Sequence, residues 1–172
     1  RAAAAGFDML ELHGATGYLL AQFLSAFTNR PPGPWSGDFD TRAGFVYDVV
    51  RAVKAAVPPG FPIGYRLLVR EWVPDGIDLE EATALAGALG KMGLAYFSVS
   101  AGTYNSMFNP ATLRVTRRPA YLRADTRTLR RRVDTPLILG GRVFRPNIAR
   151  AQLLLTQLGP AIDPRLPEIG LV

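Results

Sequence analysis

Three side chains near the start of the chain have types and spacing suited to carbonyl chemistry. His13 is the single histidine, and it directly follows the apolar run of residues 7–12. Thr16 and Tyr18 come shortly after it, across a glycine-containing turn. A histidine N–H and a tyrosine O–H placed in this way can polarise a carbonyl group and donate a proton. The pattern predicts an acid–base site at a strand end, with a purely structural histidine as the alternative.

A second group of residues has the character of a phosphate site. Gly140, Gly141 and Arg142 follow the apolar run of residues 136–139. Backbone N–H groups without side chains approach a phosphate closely, and a guanidinium neutralises its charge. Glycines also end many strands that bind nothing. Arg66 lies near the end of another apolar run, where the alternative to a ligand contact is a salt bridge.

Apolar runs alternate with helical patterns along the chain. Strands are predicted over residues 6–13, 61–68, 94–100 and 136–140. Near-continuous apolar strands in a strand–helix–strand order imply a parallel sheet, with these strands adjacent in chain order. The active sites of (β/α)8 barrels lie at the C-terminal ends of the strands. We therefore expect His13, Arg66 and Arg142 to face the same mouth.

The helices are predicted from their caps and apolar spacing. A short helix begins near Tyr18, and a longer one, capped by Asp40 or Thr41, runs to about Val57. Asp78 caps a third, with Glu81 as its capping-box partner. Residues 101–121 are expected to form a loop and residues 123–133 a helix. Residues 147–158 are compatible with a helix, a strand or a compressed version of both.

The length of the chain suits part of a barrel. It has 172 residues, 48% of them hydrophobic, which is enough for one domain with a core. A complete (β/α)8 barrel takes about 250 residues. The first residues, Arg1 followed by four alanines, resemble the tail of a helix already under way. We expect residues 1–172 to form a single partial α/β barrel domain, roughly strands 4 to 8.

Composition excludes several classes of partner. The chain has no cysteine, which fits a reducing, cytoplasmic location and leaves no cysteine-ligated metal in this segment. No apolar run approaches the roughly 18 residues of a membrane span. The net charge of +6 is carried mostly by arginines, many of them within residues 117–132, where Tyr121 is the one aromatic. That pattern is typical of a solvated helix face, and we expect neither nucleic acid nor membrane as a partner.

One long segment resembles a known enzyme family. Residues 6–25 read GFDMLELHGATGYLLAQFLS and are followed by Thr28-Asn29-Arg30. The Old Yellow Enzyme family has the pattern H-G-A-(H/N)-G-Y-L-x-x-Q-F-L-S-P-x-x-N-R. The match is long and ungapped, and weaker similarity continues through Arg66, residues 96–104 and residues 139–143. The resemblance covers most of the chain.

The resemblance implies a cofactor and a reaction. Members of that family hold FMN at the barrel mouth, reduce it with NAD(P)H, and pass hydride to an alkene conjugated to a carbonyl. By this resemblance His13 and Thr16 bind the carbonyl oxygen of a small-molecule substrate, and Tyr18 donates the proton. Arg66 corresponds to an arginine facing the flavin ring. The implied phosphate contacts are Gly140, Gly141, Arg142 and Gly159.

The chain also departs from the family pattern. Thr16 stands where the family has histidine or asparagine, which shortens one arm of the carbonyl clamp. Of the family's R-T-D-x-Y-G-G-S-x-E-N-R run, residues 31–42 retain Gly37 and Arg42. The arginine expected after Gly159 is replaced by Pro160. The family's iron–sulfur members carry their cluster cysteines beyond the barrel, so the lack of cysteine here does not exclude them.

Two functions follow from the sequence. The first is an FMN-dependent ene-reductase that is active together with the missing N-terminal half of the barrel, supplied by the same protein or a partner chain. The alternative is a non-catalytic half-barrel that serves as an interaction or relic domain and keeps His13 and Tyr18 by descent.

Overall fold

The computed structural model describes residues 1–144 and is built on a four-stranded parallel sheet. The strands are β1 (Leu10–Gly14), β2 (Ile63–Leu68), β3 (Tyr96–Ser100) and β4 (Leu137–Leu139). Their spatial order is β1-β2-β3-β4, and every neighbouring pair is parallel. Chain order and spatial order therefore agree, as in a stretch of (β/α)8 barrel. The predicted fold class and pairing are confirmed, and β2, β3 and β4 lie within their predicted segments. The first strand was predicted too early, since β1 begins at Leu10 and ends at Gly14.

The two faces of the sheet differ sharply. On one face, Tyr65, Leu67, Phe97 and Val99 are buried beneath the helices. On the other face, one row across the sheet is formed by residues paired in register: His13, Arg66, Ser98 and Ile138. Successive side chains of a strand alternate between faces, so this polar row and the buried set occupy opposite sides. The face that carries the polar row corresponds to the inside of a closed barrel.

Six helices connect the strands within the described residues. They are α1 (Leu19–Leu24), α2 (Phe39–Ala56), α3 (Leu79–Lys91), α4 (Tyr104–Met107), α5 (Pro110–Thr116) and α6 (Arg123–Arg130). The predicted capping of α3 by Asp78 is confirmed. The Asp78 carboxylate accepts a hydrogen bond from the Glu81 N–H at 2.9 Å. The predicted cap of α2 is wrong. Asp38 takes that role, because its carboxylate is in reach of the Thr41 N–H, also at 2.9 Å.

The segment predicted as one loop contains two short helices. Asn109 caps α5, accepting a hydrogen bond from the Ala111 N–H at 2.8 Å, and Pro110 occupies the first helical position. An Asn-Pro pair is a start signal for a helix, since proline is pre-organised for that position.

A buried arginine ties the helices to the long connection that follows α1. Arg42 on α2 donates from Nε to the Leu24 carbonyl, from one terminal nitrogen to the Gly37 carbonyl, and from the other to Glu81 on α3. These three bonds measure 2.6–2.7 Å. Retention of Gly37 and Arg42 from the family pattern is thereby explained, because the guanidinium ends the loop and joins two helices.

Within residues 1–144, no helix is both long and apolar enough to cross a membrane. Gly159 and the segment of residues 147–158, whose structure the sequence leaves open, lie outside the described residues.

Candidate active site

The turn after β1 orients the ring of His13. Its Nδ1 accepts a long hydrogen bond, 3.4 Å, from the Ala15 N–H. A neutral imidazole whose Nδ1 is an acceptor carries its proton on Nε2. Partial burial and the positive charge of Arg66 hold the pKa of His13 below its ordinary value. At neutral pH the ring is therefore an uncharged donor through Nε2–H.

Tyr18 lies against His13 and makes a hydrogen bond that the sequence did not predict. The two ring centroids are 4.9 Å apart in an edge-to-face arrangement. The Tyr18 hydroxyl lies 2.9 Å from the hydroxyl of Tyr104, at the start of α4. This hydrogen bond raises the pKa of Tyr18 above its ordinary value. Tyr18 therefore keeps its proton at neutral pH, as a proton donor must.

Thr16 occupies a strained position in the same turn. Its φ is 62°, in the left-handed region that β-branched residues avoid. Its backbone forms a parallel bridge with Thr103, in the loop after β3. Within residues 1–144, the Thr16 hydroxyl makes no hydrogen bond. The structure thus brings Thr16 into the turn that carries His13 and leaves its hydroxyl available.

The inner face of the sheet carries an ionic pair beneath this turn. Arg66 donates from Nε to the Glu11 carboxylate at 2.9 Å. The ring of Tyr96 lies over Gly64, and burial, followed by the negative charge of Glu11, raises the pKa of Tyr96. The predicted alternative of a salt bridge for Arg66 is thus observed. Its two terminal nitrogens make no hydrogen bond within the described chain, so the same guanidinium can also meet a ligand.

A cavity of about 200 Å³ opens beside Arg66, between the ends of β3 and β4. It is lined by Arg66, Ser98, Val99, Ser100, Tyr121, Leu122, Gly140 and Gly141. A Cβ on Gly140 would lie 2.7 Å from the Val99 carbonyl oxygen. One on Gly141, whose φ is +85°, would lie 2.9 Å from the Tyr121 ring. Both positions therefore require glycine, which leaves bare backbone at the cavity wall.

Arg142 adds positive charge at this cavity. It follows Gly141 with a φ of 58°, so two consecutive residues have left-handed backbone. Its positive charge opposes the rise that burial causes in the pKa of Tyr121, which lines the cavity. Bare backbone flanked by Arg66 and Arg142 has the donor chemistry that a phosphate requires.

Several residues at the mouth were not predicted as part of the site. They are Glu11, Trp72, Tyr96 and Tyr121. Tyr104 follows β3 at the end where barrel sites lie and was noted there from the sequence, but without a role. Trp72 had no usable signal in the sequence. It follows β2 with a φ of 59°, and its ring packs on Gly102 and lies 6.2 Å from the Tyr121 ring.

Comparison with known proteins gives a consistent result. The sequence model of the NADH:flavin oxidoreductase / NADH oxidase family matches residues 1–157. An NADH oxidase of Thermoanaerobacter brockii is 35% identical over 179 residues, which is 98% of this chain and 27% of that protein. A metal reductase of Desulforamulus reducens is 32% identical over 98% of this chain and 26% of its own length. The chain thus spans about a quarter of the length of these relatives.

Solved structures with the same fold include enzymes that act on small molecules. Morphinone reductase, as an N189A mutant in complex with tetrahydroNAD, superposes with a TM-score of 0.67 at 31% identity, over 90% of this chain and 39% of that one. A 2-naphthoyl-CoA reductase superposes with a TM-score of 0.77 over 90% of this chain and 23% of that one. At 21% identity, this likeness concerns the fold alone.

Proposed function

Because this chain belongs to the NADH:flavin oxidoreductase / NADH oxidase family, we propose that it forms part of an FMN-dependent oxidoreductase. The reaction is reduction, by NAD(P)H, of a C=C bond conjugated to a carbonyl group in a small molecule. One observation carries this proposal: an uncharged His13 donor and a protonated Tyr18 hydroxyl lie edge to face at the C-terminal end of a barrel strand. That pair supplies a hydrogen bond and a proton to one substrate.

The protein side chains have separate tasks in this reaction. His13 Nε2–H donates a hydrogen bond to the carbonyl oxygen, where negative charge develops. The Thr16 hydroxyl is the second donor to that oxygen, with shorter reach than the family's asparagine or histidine. Tyr18 gives its proton to the carbon next to the carbonyl. FMN, when bound, supplies the hydride that NAD(P)H has delivered.

The residues around the cavity beside Arg66 fit the cofactor's anionic end. Gly140 and Gly141 leave the backbone bare, and Arg142 contributes a guanidinium nearby. Arg66, on the inner face between this cavity and His13, is the residue proposed to face the flavin ring. Gly159 is proposed as a further phosphate contact.

A closed barrel has eight strands, and the described residues contribute four of them. We propose that the barrel strands preceding β1 come from an N-terminal half of the barrel, in the same protein or in a partner chain. The exposed inner face is consistent with this, since Ile138 is half exposed there in the polar row. The completed barrel denotes this chain together with that half.

The completed barrel provides the functional test. We expect it to purify with bound FMN and, without oxygen, to oxidise NAD(P)H beyond the single equivalent that reduces the flavin only when an enone is added. Equal multiple-turnover oxidation in the absence of any alkene would contradict the proposed substrate class.

The non-catalytic half-barrel remains the competing proposal, and the threonine at position 16 favours it because one arm of the carbonyl clamp is shortened. It predicts a completed barrel without flavin and without NAD(P)H oxidation. The flavin absorbance of the purified protein separates the two.

A further inference from the structure

Two strand-end loops that are not neighbours in the sheet meet above the mouth. The loop after β1 and the loop after β3 are separated by β2, yet Thr16 and Thr103 form a backbone bridge. The side chain of Thr103 is buried and packs against Gly17. A Cβ on Gly17 would lie 3.4 Å from the Cβ of Thr103. This contact fixes the position of Tyr18 relative to Tyr104.

The loop after β3 is itself held firmly. The Thr103 N–H donates to the buried hydroxyl of Ser106 at 2.9 Å, and that hydroxyl donates back to the Thr103 carbonyl at 3.2 Å. Tyr104 is the first residue of α4, directly after this closed turn. Its ring lies edge to face with Tyr18, 5.9 Å between centroids. A continuous row of rings therefore runs from His13 through Tyr18 to Tyr104.

The hydrogen bond between the Tyr18 and Tyr104 hydroxyls contributes little to folding, because both side chains are reached by water. Tyr18 is 46% exposed and Tyr104 57%. In such a pair water can replace either partner, so the net gain in stability is small. A role in chemistry accounts better for two phenols locked together at the site.

We propose that Tyr104 is a positioning residue that acts through Tyr18 and reloads it with a proton from solvent. The inference rests on the proposed function. Either hydroxyl can be the donor in the resting pair. When the Tyr18 O–H turns to the substrate and breaks as its proton forms a C–H bond there, the Tyr104 O–H takes the donor role and stabilises the phenolate oxygen left behind. The Tyr104 proton then passes to Tyr18, and water protonates Tyr104. One proton is taken from solvent for each proton delivered.

A double-mutant cycle tests the coupling. In the completed barrel, Tyr104→Phe should slow reoxidation of the reduced flavin by an enone roughly 10- to 100-fold, the size expected for losing one hydrogen bond to a charged group. Added to Tyr18→Phe, the same change should have no further effect, since Tyr104 acts only through Tyr18. Tyr47→Phe, on α2 in the helix layer, is the matched control and should leave the rate unchanged.

A second readout needs neither cofactor nor activity. In the chain labelled with carbon-13 at the tyrosine ζ carbons, Tyr18 should titrate above the ordinary tyrosine pKa of about 10, because its hydrogen bond to Tyr104 raises its pKa. Tyr104→Phe should lower the pKa of Tyr18 toward the ordinary value, and Tyr47→Phe should not.

The outcomes separate this inference from the proposed function. Slow reoxidation in Tyr18→Phe with a normal rate in Tyr104→Phe contradicts the relay alone. Equal slowing by Tyr104→Phe in both backgrounds, or a pKa of Tyr18 that Tyr104→Phe leaves unchanged, also contradicts it. A normal rate in Tyr18→Phe contradicts instead the assignment of Tyr18 as the acid.

Discussion

Among single residues, Thr16 combines strain with a candidate functional role. A β-branched residue with φ near 62° is an outlier that persists because the surrounding structure holds it, here through the bridge to Thr103. Asparagine accepts left-handed backbone more readily and offers an amide donor of longer reach. The substitution of asparagine by threonine at this position thus costs stability and shortens the clamp at once.

Thr16→Asn should therefore raise the free energy of unfolding by about 1 kcal/mol, the lower end of the cost of such strain. Urea denaturation of the chain measures this. Thr16→Ala removes the β-branch but adds no preference for left-handed backbone, so it should raise the free energy of unfolding by less. An unchanged or lower stability in Thr16→Asn would show that the turn is not strained.

The positions of the candidate site residues could be predicted from the sequence better than their contacts. His13, Tyr18, Arg66 and Arg142 were identified because strand ends and glycine turns are visible in the sequence. The Tyr18–Tyr104 hydrogen bond was not, because it joins residues that lie 86 positions apart and depends on where two loops meet. Whether Arg66 forms a salt bridge could likewise not be decided from the sequence, because its partner Glu11 lies 55 positions away.

At the level of elements, the strands were predicted closely and the connections less so. Buried apolar runs and caps such as Asp78 are local signals, so β1 to β4 and α3 emerged where expected. The α4–α5 segment was missed because both helices are short and polar. Left-handed residues such as Trp72 depend on packing around them and have no local signal.

Gly64 is an element-scale position that can be tested. A Cβ there would overlap the ring of Tyr96. Gly64→Ala should displace that ring from Glu11 and lower the free energy of unfolding by roughly 1–3 kcal/mol, as overpacking does. Gly87→Ala is the matched control: it lies inside α3 with open space around it and should raise stability by roughly 0.5–1 kcal/mol. Chemical denaturation of both variants checks the pair, and similar changes in the two would contradict the packing argument.

Considered as a whole molecule, the described chain has a complete helix layer over one face of the sheet and a polar, open opposite face. The cofactor contacts proposed here are Arg66, on the inner face of the sheet, and Gly141 and Arg142, at the proposed phosphate site. They would bind only part of a flavin nucleotide. A bound phosphate also needs paired N–H groups to offset its desolvation. The affinity of the full site therefore depends on the remaining strands.

The chain of residues 1–172 alone should bind FMN more weakly than micromolar, whereas the completed barrel should bind it tightly. Fluorescence titration of FMN into each preparation measures the two dissociation constants. Micromolar affinity of the isolated chain would mean that its own residues form a sufficient site and that no barrel half is needed.

The most direct measurement for the whole account is stopped-flow analysis of the two half-reactions in the completed barrel carrying Tyr18→Phe. This change keeps the ring and removes the one proton that the mechanism uses. Flavin reduction by NAD(P)H should be unchanged, and reoxidation by an enone should slow roughly 10²–10⁴-fold, the usual contribution of general acid catalysis. His13→Ala should instead weaken enone binding and slow reoxidation together, because it removes the carbonyl donor. Equal slowing of both half-reactions by Tyr18→Phe would identify a structural tyrosine and contradict the account.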